Sequence, residues 1–246
     1  MTNERLRARL QAVGTTSSRL AEKVEVDRKT VDRWISKGRL PHPLHRNKVA
    51  AELGVDETYL WPELLDHQRT RAVSTSELVQ LYPCRGDVPA DLWRAIVHNA
   101  SRSIDLLVYA GLFWFDSYPD LVGAMRERAA AGGQVRLALG DAESAPVVER
   151  GEEEGTDIAA RCRMTLGLIA PLLGQDGVEV RLHDTTLYTS IYRGDDVMLA
   201  NAHTYGSPAS HSPVLHLQRV DSGTLFEHYR QAFERVWALA RPYEGS

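Results

Sequence analysis

The sequence predicts an all-α N-terminal domain followed by a larger α/β domain whose mixed sheet is covered by helices. Three observations predict it. Apolar residues recur at helical spacing over residues 3–71 without a convincing strand, strand-like and helix-like segments alternate from residue 92 onward, and the two parts differ in charge. Residues 1–71 carry a net charge of +4 and residues 72–246 a net charge of −8, within −4 overall. Such asymmetry predicts that one part meets an anion such as DNA and the other does not. With 246 residues and 43% hydrophobic content, the chain can build two packed cores. The domains are expected at 1–65 and 77–246, joined by a polar linker over 66–76 that contains Arg69, Thr70, Arg71, Ser74, Thr75 and Ser76.

In the first domain Leu6, Leu10 and Val13 form one helical face, and Leu20, Ala21 and Val24 form a second. Val31, Trp34 and Ile35 form a third, and Val49, Ala50 and Leu53 a fourth. Gly14, the Gly38–Pro41 stretch and Gly54 separate them. In the second domain helices are expected at Leu92–Ala100, Leu121–Ala131, Ile158–Leu173 and Leu225–Ala240. Strands are expected at Ser103–Leu112, Gln134–Leu139, Val178–Leu182, Leu187–Tyr192, Val197–His203 and Leu215–Val220. Gly194-Asp195-Asp196 has the composition of a hairpin turn. The acidic run Glu149–Glu154 reads as a solvated loop, and adjacent carboxylates in a loop define no metal geometry. Phe113-Trp114-Phe115 reads as core or as a domain interface.

Cys84 and Cys162 stand far apart without zinc-type spacing, which excludes a disulfide framework and a cysteine metal cluster. The N-terminus lacks the apolar stretch of a signal peptide, and no apolar run is long enough for a membrane-spanning helix. A cytoplasmic protein without cofactor, metal or membrane partner is expected.

Ser17–Lys37 carries the first functional signal. Thr16 or Ser17 can cap a helix running through Val24, Val26 fills a turn, and Asp27 can cap the next helix. Two helices joined in this way form a helix-turn-helix, whose second helix enters the DNA major groove. Opposite its apolar face it offers Arg28, Lys29, Asp32, Arg33 and Ser36, with Thr30 near its start. Arginine and lysine there can donate to guanine O6 and N7, while Lys37, Arg39, Arg46 and Lys48 suit phosphates. Residues 27–50 hold seven Lys/Arg against two Asp/Glu, which favours DNA over a merely solvated face. Together with Lys48–Pro62, this stretch resembles the lambda-repressor-like helix-turn-helix family often called XRE, through Leu20-Ala21, Val26, Thr30-Val31, Trp34, Leu53-Gly54-Val55 and Leu60. The resemblance implies a bacterial transcriptional regulator that binds double-stranded DNA through Thr30 and the charged residues around it. Trp34 would be core.

The order of elements over Leu92–Arg241 resembles one repeat of the phospholipase D superfamily. Its signals include Ser103–Val108, Val135-Arg136-Leu137, Gly177–Val180, the Asp195-Asp196 turn and Phe233 four residues before Trp237. Enzymes of that family use His-x-Lys-x4-Asp, in which histidine attacks phosphorus and lysine neutralises the phosphoryl oxygens. Anchored on His183, the motif positions hold Thr185 and Ser190; anchored on the hairpin turn, they are Thr186, Tyr188 and Arg193. Both registers lack the lysine, and none occurs after Lys48. The resemblance therefore implies a non-catalytic domain that senses a ligand or mediates dimerisation. His183, Thr185, Tyr188, Asn201 and His203 are its candidate ligand residues, with Tyr192 and Tyr205 in the same strand-end cluster.

The expected function is a sequence-specific DNA-binding transcriptional regulator that responds to a small-molecule effector, a phosphate-containing compound being one candidate. A homodimer is expected, because one short recognition helix contacts few bases. The opposing reading is a DNA-targeted phosphodiesterase or nuclease, against which the missing lysine stands. A protein-binding adaptor is a third.

Overall fold

The computed structural model describes residues 2–64 and 75–245, and the chain divides into two compact units, Met1–Ala72 and Val73–Ser246. Of the expected linker, residues 66–74 lie outside the described residues, and Thr75 and Ser76 belong to a helical turn.

The first unit holds α1 (Glu4–Ala12), α2 (Ser17–Lys23), α3 (Arg28–Ser36), α4 (Pro43–Leu53) and α5 (Glu57–Leu60). Local chemistry sets their starts. Asn3, Thr16, Asp27 and Asp56 each accept a backbone N–H from the first turn of the following helix, and each such cap contributes about 1 kcal/mol. Gly54 ends α4 in the left-handed conformation at φ 63°. The apolar faces converge on one core that includes Leu6, Leu20, Val24, Val31, Trp34, Val49, Leu53, Leu60 and Trp61.

The second unit is built on eight strands: β1 (Leu78–Tyr82), β2 (Ser103–Val108), β3 (Gln134–Gly140), β4 (Val178–His183), β5 (Thr189–Gly194), β6 (Val197–Ala202), β7 (Val214–Gln218) and β8 (Arg241–Pro242). Their spatial order is β1-β7-β6-β5-β2-β3-β4-β8. β2, β3 and β4 run parallel, and every other pairing is antiparallel. The helices are α6 (Ala90–His98), α7 (Leu112–Ser117), α8 (Asp120–Ala130), α9 (Ala145–Glu154), α10 (Ile158–Ile169) and α11 (Leu225–Leu239).

Alternation along the strands supplies both sheet faces with apolar residues. Ile104, Leu106, Val108, Leu137 and Leu199 pack on one side with Trp93, Trp114, Phe115 and Met125. Leu107, Ala138, Ile191, Met198 and Ala200 pack on the other with Cys162, Phe226 and Phe233. A mixed sheet buried on both faces accounts for the nearly continuous apolar run of β2.

Several boundaries differ from the sequence expectation. β2 stops at Val108, and Leu112 opens α7, whose Trp114 and Phe115 are buried. β5 begins two residues later than expected, and the short edge strands β1 and β8 were not foreseen. The acidic run is the end of α9 and not a solvated loop. Arg150 is buried there, and it donates from Nε to Glu154 at 2.6 Å and from Nη1 to Glu153 at 2.7 Å.

Two buried carboxylates organise the unit. Asp105 of β2 accepts from Arg136 Nε at 2.8 Å and Nη2 at 2.9 Å and from Arg193 Nε at 2.7 Å. Arg136 reaches on to Glu234 and lies over the Phe233 ring at 4.6 Å. Glu77, fully buried, accepts the N–H groups of Thr224, Leu225 and Phe226 at 2.9–3.0 Å and so caps α11. A Cβ at Gly223 would stand 2.3 Å from that carboxylate, so glycine is required beside it. Glu77→Ala strands three donors at a buried helix start and is expected to lower stability by about 2–3 kcal/mol. Urea unfolding of the full chain reads this as a lower midpoint at unchanged slope.

Candidate functional site

The first candidate site is the outer face of α3. Asp27 Oδ1 accepts the Lys29 N–H at 2.7 Å and sets the helix start, while Val31, Trp34 and Ile35 are buried. The remaining positions look outward: Arg28, Lys29 and Arg33 are exposed, and Thr30 and Asp32 half-buried. Arg28 lies 3.6 Å from Asp32, an exposed pair one turn apart that holds the guanidinium only weakly. Lys37 and Arg39 follow the helix and are exposed.

The two cations from α4 are placed differently. Lys48 is half-buried and ion-paired with Glu25, the residue that turns the chain between α2 and α3 at φ 58°. The Arg46 guanidinium reaches Glu57 at 3.2 Å and the Pro41 carbonyl at 3.4 Å, so it braces α4 and α5.

The second candidate site lies at one end of β2, β5 and β6. Five residues were expected there, and the structure brings two of them, Tyr188 and His203, to one pocket with Tyr109 and Tyr205, but not His183, Thr185 or Asn201. His183 is 1% exposed. Its Nε2 lies 3.0 Å from the Val108 carbonyl, and its Nδ1 lies 3.3 Å from the Thr185 N–H. A carbonyl can only accept, so Nε2 carries the proton and Nδ1 accepts; burial lowers the ring's pKa and keeps it neutral. His183 is thus a strut between β4 and β2, and Thr185 closes the turn beside it. Asn201 is fully buried and donates from Nδ2 to the Ser212 and Pro213 carbonyls at 3.2 Å, which pins the following loop. Tyr188 is 79% exposed.

Of the five, His203 also lines a second cavity at these strand ends, which has a volume of about 80 Å³. Arg85, Phe113, Arg161, Ser190 and Tyr192 line it as well. His203 Nδ1 lies 3.1 Å from the Leu187 carbonyl, Nε2 lies 2.9 Å from Ser190 Oγ, and the ring stacks on Tyr109 at 5.6 Å. Burial lowers its pKa to about 4. The ring is therefore neutral at pH 7, with Nδ1–H donating to the carbonyl and Nε2 accepting the serine hydroxyl. An unfolded histidine takes up its proton near pH 6.5. Acidification from there toward pH 4 consequently works against this arrangement.

Tyr192 is buried, and burial pushes its phenol up to about 12 against the opposing effect of Arg85. Arg85 lies over the Phe113 ring at 3.9 Å. Sequence reasoning missed Arg85, Arg161 and Tyr109 because they come from a 3₁₀ turn, a helix and a strand end, and only the fold brings them together. Tyr192 was placed in the strand-end cluster, and Ser190 appeared only as a departure from the enzyme motif. Among the described residues no cluster of three or more His, Cys, Asp or Glu side chains could hold a metal ion, and no helix is long and apolar enough to cross a membrane.

No family model matches the chain, and no curated protein matches it in sequence. Among solved structures, the chain is similar to Nuc, a phospholipase D family member from Salmonella typhimurium, at 15% identity and a TM-score of 0.42, over 68% of this chain and 97% of that one. It is also similar to TrmBL2, an archaeal chromatin protein described as having a novel mode of DNA binding, at 13% identity and a TM-score of 0.42, over 80% of this chain and 66% of that one.

Proposed function

We propose that the chain is a sequence-specific DNA-binding transcriptional regulator whose α/β unit senses a small-molecule effector and does not catalyse phosphodiester chemistry. One observation carries the reading: α3 buries Val31, Trp34 and Ile35 while Arg28, Lys29 and Arg33 stand exposed on its outer side. α2, the turn at Glu25 and α3 form the helix-turn-helix of this reading, with Arg28, Lys29 and Arg33 directed at base edges and Lys37, Arg39 and Lys48 at phosphates. Two chains would present two such helices to a pseudo-palindromic operator.

The non-catalytic part is supported by the lysine-free second unit and by His183, whose ring nitrogens are both engaged inside the fold. A nucleophile must reach phosphorus, and a developing phosphoryl charge needs a cation placed for it. Purified protein is expected to leave bis-p-nitrophenyl phosphate and plasmid DNA uncleaved. Turnover abolished by His183→Ala would restore the enzyme reading. The DNA-binding part is tested by selecting bound sequences from a random duplex pool: one enriched operator is expected, and recovery of the unselected pool would contradict sequence-specific binding.

A further inference from the structure

The cavity beside His203 has a composition that sequence reasoning did not anticipate. Two arginines, Arg85 and Arg161, line it, and neither takes part in an ion pair among the described residues. The one carboxylate in its wall, Glu154, accepts from Arg150 Nε at 2.6 Å, so its charge is already matched. Arg150 is held further by Glu153 at 2.7 Å and by the Ser207 carbonyl at 2.9 Å. The positive charge facing the cavity thus comes from the two unpaired arginines.

The hydrogen-bonding groups have the same bias. Tyr192 keeps its phenolic proton, while the Ser190 hydroxyl is already donated to the neutral His203 Nε2. Arg85 is pre-placed, since its guanidinium rests on Phe113, and Phe113 packs edge-on against Trp93 and Tyr192 at 5.0 and 5.8 Å. The turn that carries Arg85 is tied by Cys84 Sγ donating to Asp87 Oδ2 at 3.2 Å. A volume of about 80 Å³ is well above the roughly 10–15 Å³ that one water needs, so the cavity has room for a phosphate or carboxylate group.

We infer that this cavity is an oxyanion-binding site in which Arg85 and Arg161 clamp the phosphate or carboxylate group of a small metabolite, with Tyr192 supplying a neutral hydrogen bond. The inference rests on the effector-sensing reading only for its regulatory consequence; the site itself stands on the cavity and its unpaired cations. Arginine is suited to this task because its planar donor fork matches both groups.

The test uses the full chain with inorganic phosphate and acetate as probes, read by isothermal titration and by the His203 Nε2 resonance. Saturable binding that shifts this resonance is expected for at least one anion, and the better probe identifies the class of metabolite. Arg85→Gln and Arg161→Gln are each expected to weaken it at least about ten-fold. Arg161 is exposed on α10, so its variant keeps the test valid if Arg85→Gln impairs folding. The Arg28→Ala/Lys29→Ala/Arg33→Ala variant should bind the anion as the parent does, which separates this cavity from the α3 face.

Absence of saturable binding by both anions, or affinity in both glutamine variants equal to that of the parent, overturns the inference. Anion binding at this site with unchanged operator affinity would leave the site in place and overturn the effector-sensing reading. Retained operator binding with no anion binding would do the reverse to this inference alone.

Discussion

Asp105→Ala should destabilise the α/β unit by about 3–5 kcal/mol. The carboxylate is 1% exposed and lies between Arg136 and Arg193, whose side chains are 12% and 11% exposed. Removing it leaves two guanidinium groups facing each other away from water, with Glu234 reaching only one of them. The cost is that of uncompensated buried charge and exceeds the net worth of the intact pairs. Replacing all three members, as in Asp105→Leu/Arg136→Met/Arg193→Met, should therefore recover most of the loss, because no unpaired charge remains. Urea unfolding should show the single variant's midpoint falling steeply and the triple variant's returning toward the parent. Added salt should change neither much, since buried pairs are poorly screened.

Arg28→Ala and Arg33→Ala should each lower specific operator affinity by about 1–3 kcal/mol, roughly five- to 150-fold, while thermal stability stays within about 0.5 kcal/mol of the parent. The asymmetry follows from exposure. These side chains contribute little to the core, and the Arg28–Asp32 pair is an exposed contact at 3.6 Å. Lys48→Ala should weaken all DNA sequences about equally, because a phosphate contact carries no sequence information. Arg46→Ala should act on stability, through loss of the Glu57 contact, and leave base preference unchanged. Anisotropy titrations against the selected operator and a scrambled duplex separate these outcomes. Equal operator affinity in the triple Arg28→Ala/Lys29→Ala/Arg33→Ala variant would show that α3 does not read DNA.

Local chemistry was the legible part of this sequence. Asp27, Thr16 and Gly54 mark helix ends through their own hydrogen bonds or backbone conformation, and the apolar spacing of Val31, Trp34 and Ile35 identifies the buried face of α3. Periodicity failed where an element is buried all round: Leu106–Phe115 is one apolar run, yet the chain leaves the sheet after Val108 and coils into α7. The helical character of Arg150–Glu154 was present as an i, i+3 and i, i+4 arrangement around Arg150, which an acidic composition masked. The strand-end residues divided for a tertiary reason. Asn201 and His203 lie two apart on one stretch of chain, yet Asn201 turns toward the loop at Ser212 and Pro213 and His203 toward the cavity. Arg85 and Arg161, distant in sequence, meet at that cavity through the topology alone.

The most direct test of the regulator reading is the salt dependence of binding to the selected operator, measured with the full chain from 50 to about 300 mM potassium chloride. Phosphate contacts release counterions, so log affinity should fall linearly with log salt. Lys37, Arg39 and Lys48 together predict a slope of about −3 per chain, and Lys37→Ala should flatten it by about 1. Affinity that does not change with salt, or no binding at micromolar protein, would contradict DNA recognition by this face of the molecule.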